Sequence, residues 1–200
     1  MAVTVWATRL CRPLTENETE RLTAILPPAR RERLGRQRVR AKREEALCAY
    51  GLLRYALREQ FGLSEIPSVY LTEKGHPLFS EFPHLFFSIS HTEGAVLAAV
   101  AECPVGVDIE RIRPVGQRML QLTETDTPEA FFRSWVRREA RGKRTGEGIG
   151  PMMRQEPPAA EGECCHELAV FSGYAACAAA EEAQLPRVRL VPLEDLLRSV

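Results

Sequence analysis

HLFFSISHTEGAVLAAVAECPVGVDIERI, residues 84–112, decides the fold, because it holds three strand-like runs in succession. HLFFSIS (84–90) and AVLAAVA (95–101) are rich in β-formers and flank a turn at Thr92, Glu93 and Gly94. VGVDIERI (105–112) is again strand-like, with Val105, Val107 and Ile109 on one face and Asp108 and Glu110 on the other. Two carboxylates two residues apart on a strand leave the same face at roughly 7 Å. That face suits one hard cation with positions left for phosphate oxygens and water, and a solvated polar edge has the same spacing.

Outward from this centre the period changes to that of helices. Upstream, Ala46, Tyr50, Leu53, Leu57 and Phe61 predict an amphipathic helix over 44–61, with Gly62 placed to stop it. Downstream, TPEAFFRSWVRREARGK predicts a second from about Pro128 to Lys143. At a shift of 84 residues, Glu45, Ala46, Leu47, Arg54 and Gly62 echo Glu129, Ala130, Phe131, Arg138 and Gly146, which suggests two related α+β halves. VTVWATRL (3–10) reads as a strand, and Thr15 with Glu18 as a capping box on a short helix that Pro27 and Pro28 end. SVYLTEKGHPLF (68–79) reads as a strand and turn. Gly142, Gly146, Gly148, Gly150, Pro151, Pro157, Pro158 and Gly162 mark a long irregular connection, after which strands near 167–171 and 174–180, RVRLVP and a final helix complete the chain.

Composition bounds the function. The 200 residues carry 27 basic and 27 acidic side chains and are 44% apolar, which excludes disorder, collagen and a wholly basic nucleic-acid binder. The start lacks the pattern of a signal peptide, and the longest apolar stretch, 168–180, is too short to span a bilayer, so a cytoplasmic protein is expected. The six cysteines form no CxxC pair. Free thiols are therefore expected over a disulfide scaffold or zinc, and adjacent Cys164, Cys165 and His166 are poorly spaced for one tetrahedral site.

Neutrality conceals local charge. Arg30, Arg31, Arg33, Arg36, Arg38, Arg40, Lys42 and Arg43 crowd one segment, which is either a solvated helix face or a phosphate-binding rim. In the second helix Phe131, Trp135, Glu139 and Lys143 form one column at steps of four. A glutamate at the edge of a buried aromatic stripe is partly desolvated, which makes it a usable general base; an exposed Glu139–Lys143 helix pair is the plainer reading. Ser90 and His91, at a strand end, either offer a hydroxyl and an imidazole to an anion or are a turn-forming serine beside a half-exposed histidine.

KGHPLF (74–79), FSISHTEG (87–94), VGVDIERIRP (105–114) and WVRREARGKRTGEG (135–148), in that order, together resemble the 4'-phosphopantetheinyl transferases, specifically the longer type that activates peptide and polyketide synthases. The resemblance implies an α+β fold of two similar halves related by a pseudo-two-fold, here 1–103 and 104–200, with coenzyme A in the cleft between them. It implies transfer of the phosphopantetheine arm of coenzyme A to a serine of an apo acyl or peptidyl carrier protein, releasing adenosine 3',5'-bisphosphate. Asp108 and Glu110 would hold magnesium, with Glu124 the candidate third acid. Glu139 would take or position the serine proton, and Lys143 would neutralise phosphate charge. Ser90 and His91 would bind the region of the 3'-phosphate with Arg30, Arg31 and Arg33, and His76, Pro77 and Arg138 would also contact the nucleotide. A monomer free of membrane and nucleic acid is expected.

The chain also departs from the family pattern. Arg138 stands where lysine is commonest, Gly75, His76 and Pro77 replace Gly-Lys-Pro, Glu45 stands where arginine is common, and the stretch from Glu110 to Trp135 is short. These departures keep a second reading open, a coenzyme A-binding relative impaired in transfer. A nucleic-acid-binding module using the Arg30–Arg43 stretch is the third; it lacks the interleaved aromatic residues that stack on bases.

Overall fold

The computed structural model describes residues 3–148, 150, 156, 158–181 and 185–200. Strand β1 (Thr4–Arg9) leads to helices α1 (Glu16–Ala24), α2 (Pro28–Gly35) and α3 (Arg40–Phe61). The capping box expected at Thr15 closes: Thr15 Oγ1 accepts the Glu18 N–H, and the Thr15 N–H donates to the Glu18 carboxylate at 2.7 Å. Pro28 does more than end a helix. It opens α2 at the first helical position, where its missing N–H leaves no bond unmade. The cation-rich run is thereby split between α2 and the start of α3, which begins four residues before the expected position and ends as expected on left-handed Gly62 (φ 70°).

The chain continues through β2 (Val69–Leu71) and β3 (Pro77–Phe79), a hairpin, then β4 (Phe86–Thr92), β5 (Ala95–Ala101) and β6 (Val105–Arg111). A short helix α4 (Gln117–Leu122), which no periodic pattern announced, precedes α5 (Pro128–Thr145). Thr127 caps α5 with Pro128 behind it, and left-handed Gly146 (φ 73°) ends it, so Gly142 lies inside the helix and not in the connection. Pro151 and Pro157 of that connection lie outside the described residues. Next come β7 (Cys164–Glu167), β8 (Tyr174–Ala180), β9 (Arg187–Leu190) and α6 (Leu193–Arg198). The strand expected at 167–171 is shifted back: its ladder to β8 forms over 164–167, and beyond the Leu168 N–H bond to Ala176 O the chain widens into a loop turned at Gly173. Leu168 and Val170 serve the core from that loop. No helix among the described residues is long and apolar enough to cross a membrane.

The mixed α+β chain stacks in layers. One sheet runs β4-β5-β1-β9 and the other β6-β8-β7, each with its main helix on the outer face. Alternation along β5 sends Val96, Ala98 and Val100 toward α3, and Leu97 and Ala99 toward the second sheet. In β8, Ala176 and Ala178 meet the first sheet while Ala175, Cys177 and Ala179 meet α5. Strands buried on both faces read as unbroken apolar runs, and their alanines let the sheets approach closely. Strand, helix and hairpin recur in both units: β1, α3 and β4-β5 in the first, and β6, α5 and β7-β8 in the second. The end of the chain crosses back, with β9 parallel to β1 and α6 packed beneath α3.

One close approach packs the second unit, and a seam of hydroxyls joins it to the first. A Cβ on Gly106 of β6 would lie 1.9 Å from Ala140 O and 2.6 Å from Arg144 N of α5, so only glycine allows that helix to rest so near the strand. Strands β4 and β6 edge their respective sheets, and side-chain hydroxyls join them in place of a backbone ladder. Ser88 Oγ accepts the Val107 N–H at 3.0 Å, and Ser90 Oγ accepts the Ile109 N–H at 3.4 Å.

Candidate functional site

The groove over this seam, a cavity of about 470 Å³, gathers charge from α2, α3, β4, β6 and α5. Asp108 and Glu110 enter it from β6. Asp108 is 5% exposed. Its Oδ1 accepts from Ser90 Oγ at 2.6 Å and from Lys143 Nζ at 2.7 Å, while Oδ2 is buried without a hydrogen-bond partner. Lys143 also donates to Val107 O at 3.2 Å and reaches Ile89 O at 3.5 Å, so one ammonium touches both edge strands. Glu110 Oε2 accepts from Thr92 Oγ1 at 3.1 Å and Arg113 Nη1 at 2.9 Å.

Glu139 reaches the same groove from α5, one turn before Lys143. The apolar end of the column forms as the spacing implied, Phe131 and Trp135 stacking at 5.8 Å. Burial holds the Glu139 carboxyl above the ordinary 4.5, the negative charge of Asp108 adds to the shift, and Lys143 opposes it. The plainer reading of a solvated helix pair does not describe it, since Lys143 bonds to Asp108.

His91 lines the groove with a buried acid behind it. Glu45 Oε2 lies 3.4 Å from His91 Nδ1 and 3.4 Å from Lys42 Nζ, and Glu45 Oε1 accepts the Gly94 N–H at 3.2 Å. Burial pushes the Glu45 carboxyl up, but His91, the Gly94 amide and Lys42 outweigh it and leave the group below its usual value. The glutamate that departs from the resembled pattern thus lies within ion-pair distance of the imidazole.

Of the expected cations, Arg30 and Arg33 line the groove, Arg30 lying 5.8 Å over the Tyr50 ring. Arg31 turns away and donates to Ala24 O at 3.0 Å, next to the end of α1. His76 and Pro77 line an adjoining cavity that shares Arg30, Tyr50, Ile89 and Lys143 with the first. His76 packs over Gly146, where a Cβ would come within 2.7 Å of it, and burial lowers the imidazole below 6.5. Arg138 is buried on another side of α5, with Nε 3.6 Å from Glu156 Oε2, and does not line either cavity. Glu124 is exposed after α4 with φ 53° and is also outside both. The groove's acids are Asp108, Glu110 and Glu139; among the described residues no three His, Cys, Asp or Glu side chains are grouped to hold a metal alone.

Sequence reasoning placed Lys42 only within the candidate phosphate-binding run and did not single out Thr92, Arg113 or Gly106 for the site. Thr92 carried a readable signal, since it continues the alternation Ser88, Ser90, Thr92 on β4. Arg113 carried none: its role comes from the bend after β6 that puts it on Glu110 and 4.8 Å over the Phe132 ring.

No family model matches the chain. Curated proteins do. It is 31% identical over 139 residues to the 4'-phosphopantetheinyl transferase AcpT of Escherichia coli O157:H7, covering 62% of this chain and 67% of that protein. It is 26% identical over 152 residues to the 4'-phosphopantetheinyl transferase Sfp of Bacillus subtilis, covering 69% and 68%. It is 33% identical over 112 residues to the 4'-phosphopantetheinyl transferase psf-1 of Bacillus pumilus, covering 49% and 48%. The chain belongs to the 4'-phosphopantetheinyl transferase superfamily. Its chemistry is that of a transferase of this type, moving a phosphopantetheine group.

Proposed function

We propose that the chain transfers the 4'-phosphopantetheine arm of coenzyme A to a serine of an apo acyl or peptidyl carrier protein and releases adenosine 3',5'-bisphosphate. The observation that carries this reading is the meeting of Glu139, Asp108 and Lys143 in one groove between the two helix–sheet units. The recurring order of strand, helix and hairpin supports two halves, 1–103 and 104–200, related by a pseudo-two-fold with coenzyme A between them, the last strand and helix crossing back to the first half.

The serine oxygen attacks the phosphorus that carries the pantetheine arm. The phosphorus–oxygen bond of the pyrophosphate breaks, and its electrons leave on the adenosine bisphosphate. Glu139 receives the hydroxyl proton; its partial burial raises its basicity toward that task. Arg30 and Arg33 hold the anionic nucleotide, and His91 with Glu45 behind it presents an imidazole to the same ligand. Lys143 offsets phosphate charge from the floor of the groove.

Magnesium fits the residues present. Asp108 Oδ2 is a buried carboxylate oxygen with no hydrogen-bond partner, and Glu110 stands two residues on along β6. This ion commonly takes only one or two carboxylates and completes its shell with phosphate and water. When bound it would neutralise charge on the pyrophosphate oxygens.

The test is to incubate the protein with coenzyme A, magnesium and apo carrier proteins, and weigh the carrier. A gain of one phosphopantetheine is expected. Coenzyme A binding with no gain on any acyl or peptidyl carrier would favour the second reading, an impaired coenzyme A-binding relative, to which burial of His76 lends weight by removing a cation at neutral pH.

A further inference from the structure

Both acids of β6 are gripped through one oxygen. Ser90 Oγ and Lys143 Nζ share Asp108 Oδ1, and Oδ2 has no hydrogen-bond partner. Thr92 Oγ1 and Arg113 Nη1 share Glu110 Oε2, and among the described residues Oε1 takes no hydrogen bond. Each carboxylate is therefore fixed in orientation with its second oxygen left over.

The hydroxyl donors occupy alternate positions of β4, so they share one face. Ser88 serves the Val107 N–H, Ser90 serves Asp108 and the Ile109 N–H, and Thr92 serves Glu110. Three hydroxyls thus keep step with successive positions of β6 across a seam that has no backbone ladder. A serine hydroxyl has one proton. That of Ser90 goes to Asp108 over 2.6 Å, and the oxygen already accepts an amide, so the hydroxyl has no proton left to offer a ligand phosphate.

We infer that Ser90 and Thr92 are positioning residues: their hydroxyl protons hold Asp108 and Glu110 each by one oxygen and present the other to a divalent cation. The inference rests on the proposed function, in which these acids hold magnesium. Outer-layer hydrogen bonds of this kind set ligand orientation, and losing one typically weakens metal affinity about 10–100-fold.

Mn2+ serves as the probe, its binding to the coenzyme A-loaded full chain followed by electron paramagnetic resonance without any carrier. Thr92→Val and Ser90→Ala are each expected to weaken Mn2+ binding about tenfold, Thr92→Ser to stay within about twofold of the wild type, and Asp108→Asn to remove the site. For Thr92→Val, coenzyme A affinity measured without metal stays unchanged. Wild-type Mn2+ affinity in Thr92→Val and Ser90→Ala, with Asp108→Asn still deficient, overturns the positioning role and leaves the metal reading standing. Equal weakening by Thr92→Val and Thr92→Ser, with equal loss of thermal stability, overturns it as well, because it reports a loosened seam. Equal Mn2+ binding by wild type and Asp108→Asn overturns the metal reading itself, and the inference with it.

Discussion

Lys143 Nζ lies 2.7 Å from Asp108 Oδ1, which ties the helix of one unit to a strand whose neighbour across the seam belongs to the other. Asp108 is nearly closed off from solvent and Lys143 about a third exposed, so the pair is poorly screened on one side only. Lys143→Met leaves a buried carboxylate with only Ser90 on that oxygen and is expected to cost about 1–3 kcal/mol of folding stability. Adding Asp108→Asn should recover part of that loss. A double-mutant cycle by chemical denaturation checks it, and strict additivity would show that the two groups are not coupled.

Glu139→Gln separates chemistry from stability. Loss of the proposed general base is expected to lower transfer about 10²–10⁴-fold with coenzyme A binding kept. The folded-state carboxyl is held above 4.5, so the folded protein binds this proton more tightly than the unfolded chain and loses stability as pH rises through that window. The glutamine variant should therefore melt higher than wild type at neutral pH, and the difference should vanish under acid conditions.

The same shift fixes the sign of the activity profile. In the proposed reaction Glu139 acts ionised, so the acidic limb of kcat/KM is expected at a higher pH than an ordinary carboxylate near 4.5 would give. Asp108 is the second cause of the shift, after burial. Its charge cannot be removed by substitution without harming the site, so the comparison is the residual turnover of Glu139→Asp across pH, whose limb should also lie above the ordinary range.

Much of this was legible in the residues. Alternation over 105–112 located both acids of β6, and steps of four along α5 located Trp135, Glu139 and Lys143, because single-element periods report which side chains share a face. What periodicity cannot report is how faces of separate elements meet. Arg31 and Arg33 lie two apart in the same helix, yet one serves the end of α1 and the other the groove. Arg138 and Glu139 are neighbours in sequence, and the 100° step between them sends Arg138 to Glu156 and away from the groove. Glu45 stands in sequence only as a departure from the resembled pattern, and its contacts with His91 and Gly94 join separate elements that no single-element period relates.

Gly106 carries an architectural requirement that strand propensity disfavours. Its missing Cβ lets Ala140 O approach to a point 1.9 Å from where that atom would be. Gly106→Ala must push α5 off β6, and a displacement of about 1 Å would part Lys143 from Asp108. A loss of roughly 3 kcal/mol or more is expected from backbone overpacking. Thermal melting and phosphopantetheine transfer should both suffer, and a variant with wild-type melting would refute the close approach.

His76 gives a prediction opposite to the one its ordinary titration range suggests. A histidine in a phosphate-binding groove would normally lend charge near neutrality, so that affinity for coenzyme A would fall as pH rises through 6.5. Burial against Gly146 lowers its value instead, and the imidazole gains its charge only at more acid pH. The contribution of His76 to coenzyme A affinity, measured as the difference between wild type and His76→Ala, should begin to grow on acidification only at a pH below that of an ordinary histidine. Stability moves the other way: the unfolded imidazole takes up its proton first, so acidification through 6.5 destabilises the fold until the lowered folded-state value is passed. His76→Lys supplies a permanent cation on a flexible stem and is expected to raise coenzyme A affinity at pH 7.5 up to about fivefold, the effect of up to about 1 kcal/mol from an added charge pair. Calorimetric titration of the three proteins over pH checks each part, and a histidine contribution that declines through pH 6.5 would place His76 in solvent and not against the helix end.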